Sequence, residues 1–221
     1  MLFDLFTEGF GINTIMNLMA RVFVVFCTLP IHEYAHALVA TRLGDDTARL
    51  KGRLTLNPLA HIDILGAIMI FLVGFGYAKP VPVNPRYFKN PRKGMALTAL
   101  AGPLSNIVMS VIFMLFANIF RVILVYTGGA LVAQVAMLFF SFAAQINVSL
   151  AIFNLIPIPP LDGSKVLMEF LPGRIKYRLY SYERYSFLIL ILIIYSGILD
   201  PILNFLTHII LSPILRLVDF I

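Results

Sequence analysis

Charge is scarce in this sequence. Only 13% of its 221 residues are Asp, Glu, Lys or Arg, and no polar block exceeds about 20 residues, so a second, soluble domain has no room to form. Cysteine is scarcer still: Cys27 is the only one and lies in an apolar run, which excludes disulfides and cysteine-based zinc sites. There is no internal repeat and no low-complexity tract. The opening stretch "MLFDLFTEGFGINTIMNLMARVF" lacks a basic n-region and a small-residue cleavage site, which argues against a removable signal peptide. Residues 1–13 are expected to lie as an amphipathic stretch at the membrane interface.

Apolar side chain, by contrast, is abundant. The chain is 60% hydrophobic, its mean hydropathy is +0.91, and its apolar runs approach or exceed the roughly 20 residues that cross a bilayer as helix. The expected fold is an all-α polytopic membrane protein, one domain over residues 1–221 with about four to six transmembrane helices. An isoelectric point near 9.6 would point to nucleic acid in a soluble protein. Here the basic residues bunch between spans, and the partner they imply is the lipid bilayer rather than a nucleic acid.

Fourteen of the 17 Lys and Arg residues fall in three clusters. The first is Arg42, Arg49, Lys51 and Arg53; the second Lys79, Arg86, Lys89, Arg92 and Lys93; the third Lys165, Arg174, Lys176, Arg178 and Arg184. If every apolar run crossed the membrane, the first two clusters would face opposite sides, against the tendency of cytoplasmic loops to collect positive charge. The run 61–78 is the weakest span: it opens with His61 and Asp63 and carries Gly66, Gly74 and Gly76. It is expected either to dip in and return on one side or to cross as an ordinary helix. With a re-entrant run, spans fall at about 20–43, 95–120, 131–156 and 186–207, the N-terminus is outside, and all three clusters are cytoplasmic.

Within the first span stands "HEYAH", where His32, Glu33 and His36 are costly at membrane depth and so are functional candidates. Residues four apart share a helix face, so two imidazoles can address one ion with the carboxylate beside it. This is the HExxH arrangement, in which zinc lowers the pKa of its water to about 7 and the Glu serves as general base. Five residues of this kind also arise by chance, but three uncompensated ionisable groups in lipid are harder to account for without a metal. Catalytic zinc takes three protein ligands and leaves one position open. The candidates are Asp162 in "FNLIPIPPLDGSK", where Pro157, Pro159 and Pro160 interrupt the helix, then His61 and Asp63 in "NPLAHIDILG", and His208. Asp162 is open to a second reading as a plain turn residue, since Asp-Gly is a turn signal. His61 and Asp63 are expected to act around the metal or as a gate, and His208 to have a surface or packing role.

Taken in order, "HEYAH", "NPLAHID", "AKPVPVNP", "AGPLSN" and "NLIPIPPLDG" resemble the site-2 protease family of intramembrane zinc metalloproteases, over residues 28 to 172 and closest to compact prokaryotic members. No segment is long or polar enough for the PDZ or CBS domains of other branches. The resemblance implies that one Zn2+ per chain is held by His32, His36 and Asp162, and that Glu33 is the catalytic base. It implies further that Asn154 positions substrate or stabilises the oxyanion, and that Asn106 lies where helices pack closely around a Gly-Pro break. The substrates it implies are transmembrane segments of membrane proteins, cleaved in a prokaryotic cell membrane toward its cytoplasmic side.

The stretch 77–88 is too rich in proline for helix and is expected to be extended or β-like near the membrane surface. There it is either a plain loop or an edge to which unwound substrate adds as a strand. Two other classes of function share these residues: a membrane metal-ion transporter, in which they relay an ion, and a catalytically inactive scaffold. Glu33 separates them, because transport has no need of a general base beside the ligands.

Overall fold

In the computed structural model, residues 11–63, 66 and 79–219 are described, with the backbone alone at 180–184, 187, 195, 200 and 214–219. The pentad sits near the end of a long rod. Helices α1 (Ile12–Phe23) and α2 (Leu29–Arg42) are joined without a break by a π-helical turn, Val24–Thr28. Pro30 has no N–H to give the Phe26 carbonyl, and inside the widened turn Thr28 Oγ1 donates to the Val24 carbonyl at 3.0 Å. The rod Ile12–Arg42 begins well before the expected span at 20–43. Of the interfacial stretch expected at 1–13, residues 1–10 lie outside the described residues, and Ile12 opens α1.

Past Arg42 the chain makes two short helices, α3 (Thr47–Leu50) and α4 (Pro58–His61), the second capped by the Asn57 side chain, which accepts from Leu59 N at 3.1 Å. The run 61–78 falls almost wholly outside the described residues. Its flanks are joined: Lys79 N donates to the His61 carbonyl at 2.8 Å. Residues 79–84 are extended, as expected, and lead through a 3-10 turn, Pro85–Tyr87, into α5; no strand occurs among the described residues.

Helix α5 (Pro91–Tyr126) starts at an Asn90 cap and contains Pro103. It runs antiparallel to α6 (Leu131–Leu155), the two connected by a turn in which Gly128 and Gly129 take positive φ. Their contact is built on small residues that let the backbones approach: Ala117 on α5 and Ala143 and Ala144 on α6 are buried with Phe113, Met114, Val148 and Ala20 of α1. Phe23 completes this core, its ring edge-on to Phe113 and Phe139 at 5.6 and 5.3 Å. The inner face of α5 is polar or small at Thr98, Gly102, Asn106 and Ser110, while Leu104, Val108, Ile112, Phe116 and Ile119 point outward. Polar inside and apolar outside is the distribution of a bundle that meets lipid rather than water.

Helix α6 ends where the prolines at 157, 159 and 160 begin, and α7 (Asp162–Phe170) turns back against α5. The expected span at 186–207 is not one helix. It is divided between α8 (Gly173–Tyr195) and α9 (Asp200–Asp219), because Gly197 leaves the helix at φ +69 and Pro201 restarts it. Among the described residues, three helices are long and apolar enough to cross a membrane: Ile12–Arg42, Pro91–Tyr126 and Leu131–Leu155.

Candidate metal centre

Two helices and a helix start supply the site. His32 and His36, one turn apart on α2, bring their Nε2 atoms to 3.0 Å, with the rings edge-on. Asp162, first residue of α7, places Oδ2 3.2 Å from His32 Nε2 and 3.1 Å from His36 Nε2. All three residues are buried, and among the described residues they form the group able to share one metal ion. Asp162 lies 126 residues beyond His36 in sequence, and it reaches the histidines because α2 and α7 both pack against α5.

The donor chemistry fits a cation. His36 Nδ1 lies 2.6 Å from the Thr98 carbonyl, an acceptor only, so Nδ1 carries the proton and the Nε2 lone pair faces inward. Oδ2 of Asp162 is likewise an acceptor, leaving electron pairs crowded on one point. A tetrahedral zinc with ligands about 2.0–2.1 Å away sets them roughly 3.4 Å apart, close to the triangle here. Main-chain carbonyls that fix a ligating imidazole by its other nitrogen are the usual outer support of such sites. His32 Nδ1 is buried without a partner among the described residues.

Glycines decide how closely the walls approach. A Cβ at Gly102 would collide with His36 Nε2 and with the His32 ring, so α5 presses bare backbone against both imidazoles. Gly163 serves likewise: its φ is negative, but a Cβ there would run into the Leu155 carbonyl. Asp162 and Gly163 are the central residues of a turn, Ser164 N to the Leu161 carbonyl at 3.1 Å, that opens a helix seated against the end of α6.

The remaining candidates are placed as follows. Glu33 is buried on α2 beside His32, outside the ligand trio. Asn154 is half-buried near the end of α6 and turns its amide back to the Leu150 carbonyl at 3.0 Å. Asn106 is buried one helical turn past Gly102. His61 is fully buried and donates from Nε2 to the Thr55 carbonyl at 2.7 Å, and Asp63 accepts from Gly66 N at 3.1 Å; neither joins the ligand trio. His208 is exposed on α9. The sequence reading did not single out Thr98, whose contribution is a main-chain carbonyl, nor Gly102 as a wall of the site, nor Lys165. The signal for Lys165 was its spacing, three residues after Asp162 at the start of a helix.

Known proteins bear on this geometry. The sequence profile described as "Peptidase family M50" matches residues 20–197. The chain is 38% identical over 191 residues to "Putative zinc metalloprotease YwhC" of Bacillus subtilis (strain 168), covering 83% of this chain and 85% of that protein. It is 33% identical over 138 residues to "Putative zinc metalloprotease MJ0611" of Methanocaldococcus jannaschii, 62% of each chain. It is 28% identical over 182 residues to "Putative zinc metalloprotease Rip2" of Mycolicibacterium smegmatis, 80% of this chain and 65% of that one. No solved structure matches. With a family match over most of its length and a His-His-Asp trio buried inside an apolar bundle, the chain belongs to peptidase family M50, the site-2 protease family that its motifs resemble.

Proposed function

We propose that this M50 protein is an intramembrane endopeptidase that hydrolyses peptide bonds in or near transmembrane helices of other membrane proteins. The observation that carries the reading is the buried convergence of His32, His36 and Asp162 with Glu33 alongside. These three residues would hold zinc, which when bound supplies a Lewis acid that acidifies water and polarises a carbonyl. Glu33 takes the proton from the attacking water and returns it to the leaving amine. His36 is kept in the ligating tautomer by the Thr98 carbonyl, and Asp162 is kept in place by the packing of Gly163 on Leu155. Asn154 serves the oxyanion once its amide leaves the Leu150 carbonyl.

The site lies toward one end of the bundle. From His36 to Arg42 is about 9 Å of helix at 1.5 Å per residue. Arg42, Arg92, Lys93 and Lys165 flank that end, and this supports a cytoplasmic placement under the positive-inside tendency. A substrate helix hides its amides in its own hydrogen bonds, so it unwinds before cleavage, and the extended stretch 79–84 is where it adds as a strand.

The test is cleavage of a single-span substrate by detergent-purified protein, with and without a zinc chelator. Glu33→Gln is expected to retain metal and lose proteolysis. Cleavage by Glu33→Gln at the wild-type rate would remove the carboxylate from the reaction, and metal translocation without cleavage would favour a transporter.

A further inference from the structure

Two charges outside the metal centre are buried without an ion-pair partner among the described residues, and both grip the same piece of main chain. Arg53 is 7% exposed. Its guanidinium donates to the carbonyls of Ala60 and Lys79, and to that of Pro80 at 3.2 Å. Asp45 is fully buried. Its carboxylate accepts from Thr47 N at 3.0 Å, from the Thr47 hydroxyl, and from Asn84 N at 2.6 Å. Burying a charge is costly unless its hydrogen bonds are made, and here much of that capacity is spent on the backbone of residues 79–84. The segment that follows is pressed against the end of α2: a Cβ at Gly44, where φ is +107, would come within 3.2 Å of the Tyr87 carbonyl.

Between the two grips lie Val81, Pro82 and Val83. They are extended and half-buried, and no backbone hydrogen bond is made by them among the described residues. A stretch tied down at both ends by buried charges is an edge held straight in advance. Incoming peptide then pairs with it without first paying to order it.

We propose that Arg53 and Asp45 are positioning residues for substrate: they fix the two ends of the 79–84 stretch so that residues 81–83 present a rigid edge to unwound peptide. The proposal rests on the strand-addition reading above. Neither residue is among the metal ligands, so their loss acts on substrate capture and leaves the metal in place.

The test uses the full chain with Cys27→Ala and Glu33→Gln, so that substrate binds and is not cut. Val81→Cys or Val83→Cys is cross-linked to a single cysteine placed near the scissile region of a one-span substrate. Kinetics are measured in parallel on variants that keep Glu33. Arg53→Met and Asp45→Asn are expected to retain metal and a wild-type thermal transition while cross-linking weakly. Their kcat/KM is expected to fall about 10- to 100-fold, mainly through KM, with Arg53→Lys between them and wild type. Should Arg53→Met fail to fold, the isosteric Asp45→Asn carries the comparison. Wild-type cross-linking and kinetics in metal-loaded variants overturn the clamp and leave strand addition standing; absence of cross-linking in the parent chain overturns strand addition, and the clamp with it.

Discussion

Lys165 Nζ lies 2.9 Å from Oδ1 of Asp162, the carboxylate oxygen turned away from the histidines, while Oδ2 faces both imidazoles. The ammonium thus occupies one oxygen and leaves the other as a single ligand. Lysine here is 46% exposed, so solvent weakens the pair. Outer partners of metal ligands nonetheless contribute about 10–100-fold in affinity. Lys165→Met is expected to weaken zinc binding by about tenfold, the low end of that range, and Lys165→Arg to restore most of it. Competition against a chelator of known affinity measures this; unchanged affinity in Lys165→Met would show that packing alone orients Asp162.

Gly102→Ala sets two effects against each other. Alanine is favoured over glycine inside a helix by about 1 kcal/mol, yet the new methyl would strike both ligating imidazoles. The steric effect is local and backed by the close pack of α2 on α5, so the site should give way first. Metal content and proteolysis are expected to fall sharply while the thermal transition of the metal-free protein holds or rises. Retention of full zinc occupancy would mean the rings can retreat.

Gly163→Ala and Gly173→Ala form a matched pair. A Cβ at 163 meets the Leu155 carbonyl, whereas at 173 nothing lies within 4 Å. Overpacking of this kind costs typically about 1–3 kcal/mol, and at 163 it also displaces Asp162. Gly163→Ala is expected to lose stability and zinc together, and Gly173→Ala neither. Equal behaviour of the two variants in thermal unfolding would contradict the tight seating of α7 on α6.

The hydrogen bond from Lys79 N to the His61 carbonyl brings together the flanks of the run 61–78. Cysteines placed at 57 and 84 in a Cys27→Ala background are therefore expected to react with a membrane-impermeant reagent from the same face. Labelling from opposite faces would be incompatible with that bond in the membrane.

The pentad, the apolar runs and the prolines at 157, 159 and 160 were legible in the sequence because each acts locally. A pair of histidines four apart shares a helix face whatever surrounds it, and proline breaks a helix on its own. The same local logic overran at 186–207, where hydropathy joined two helices that Gly197 and Pro201 separate. What composition and spacing could not decide was distance between remote segments. Spacing alone left His61, Asp63 and His208 as rivals to Asp162 for the third ligand; the fold placed Oδ2 of Asp162 3.1 and 3.2 Å from the histidine nitrogens and left the others outside the trio. Thr98 enters through a carbonyl that every residue possesses, and Gly102 matters for the side chain it lacks. Such contributions exist only once α2 and α5 are packed, because they arise from proximity and carry no chemical mark of their own.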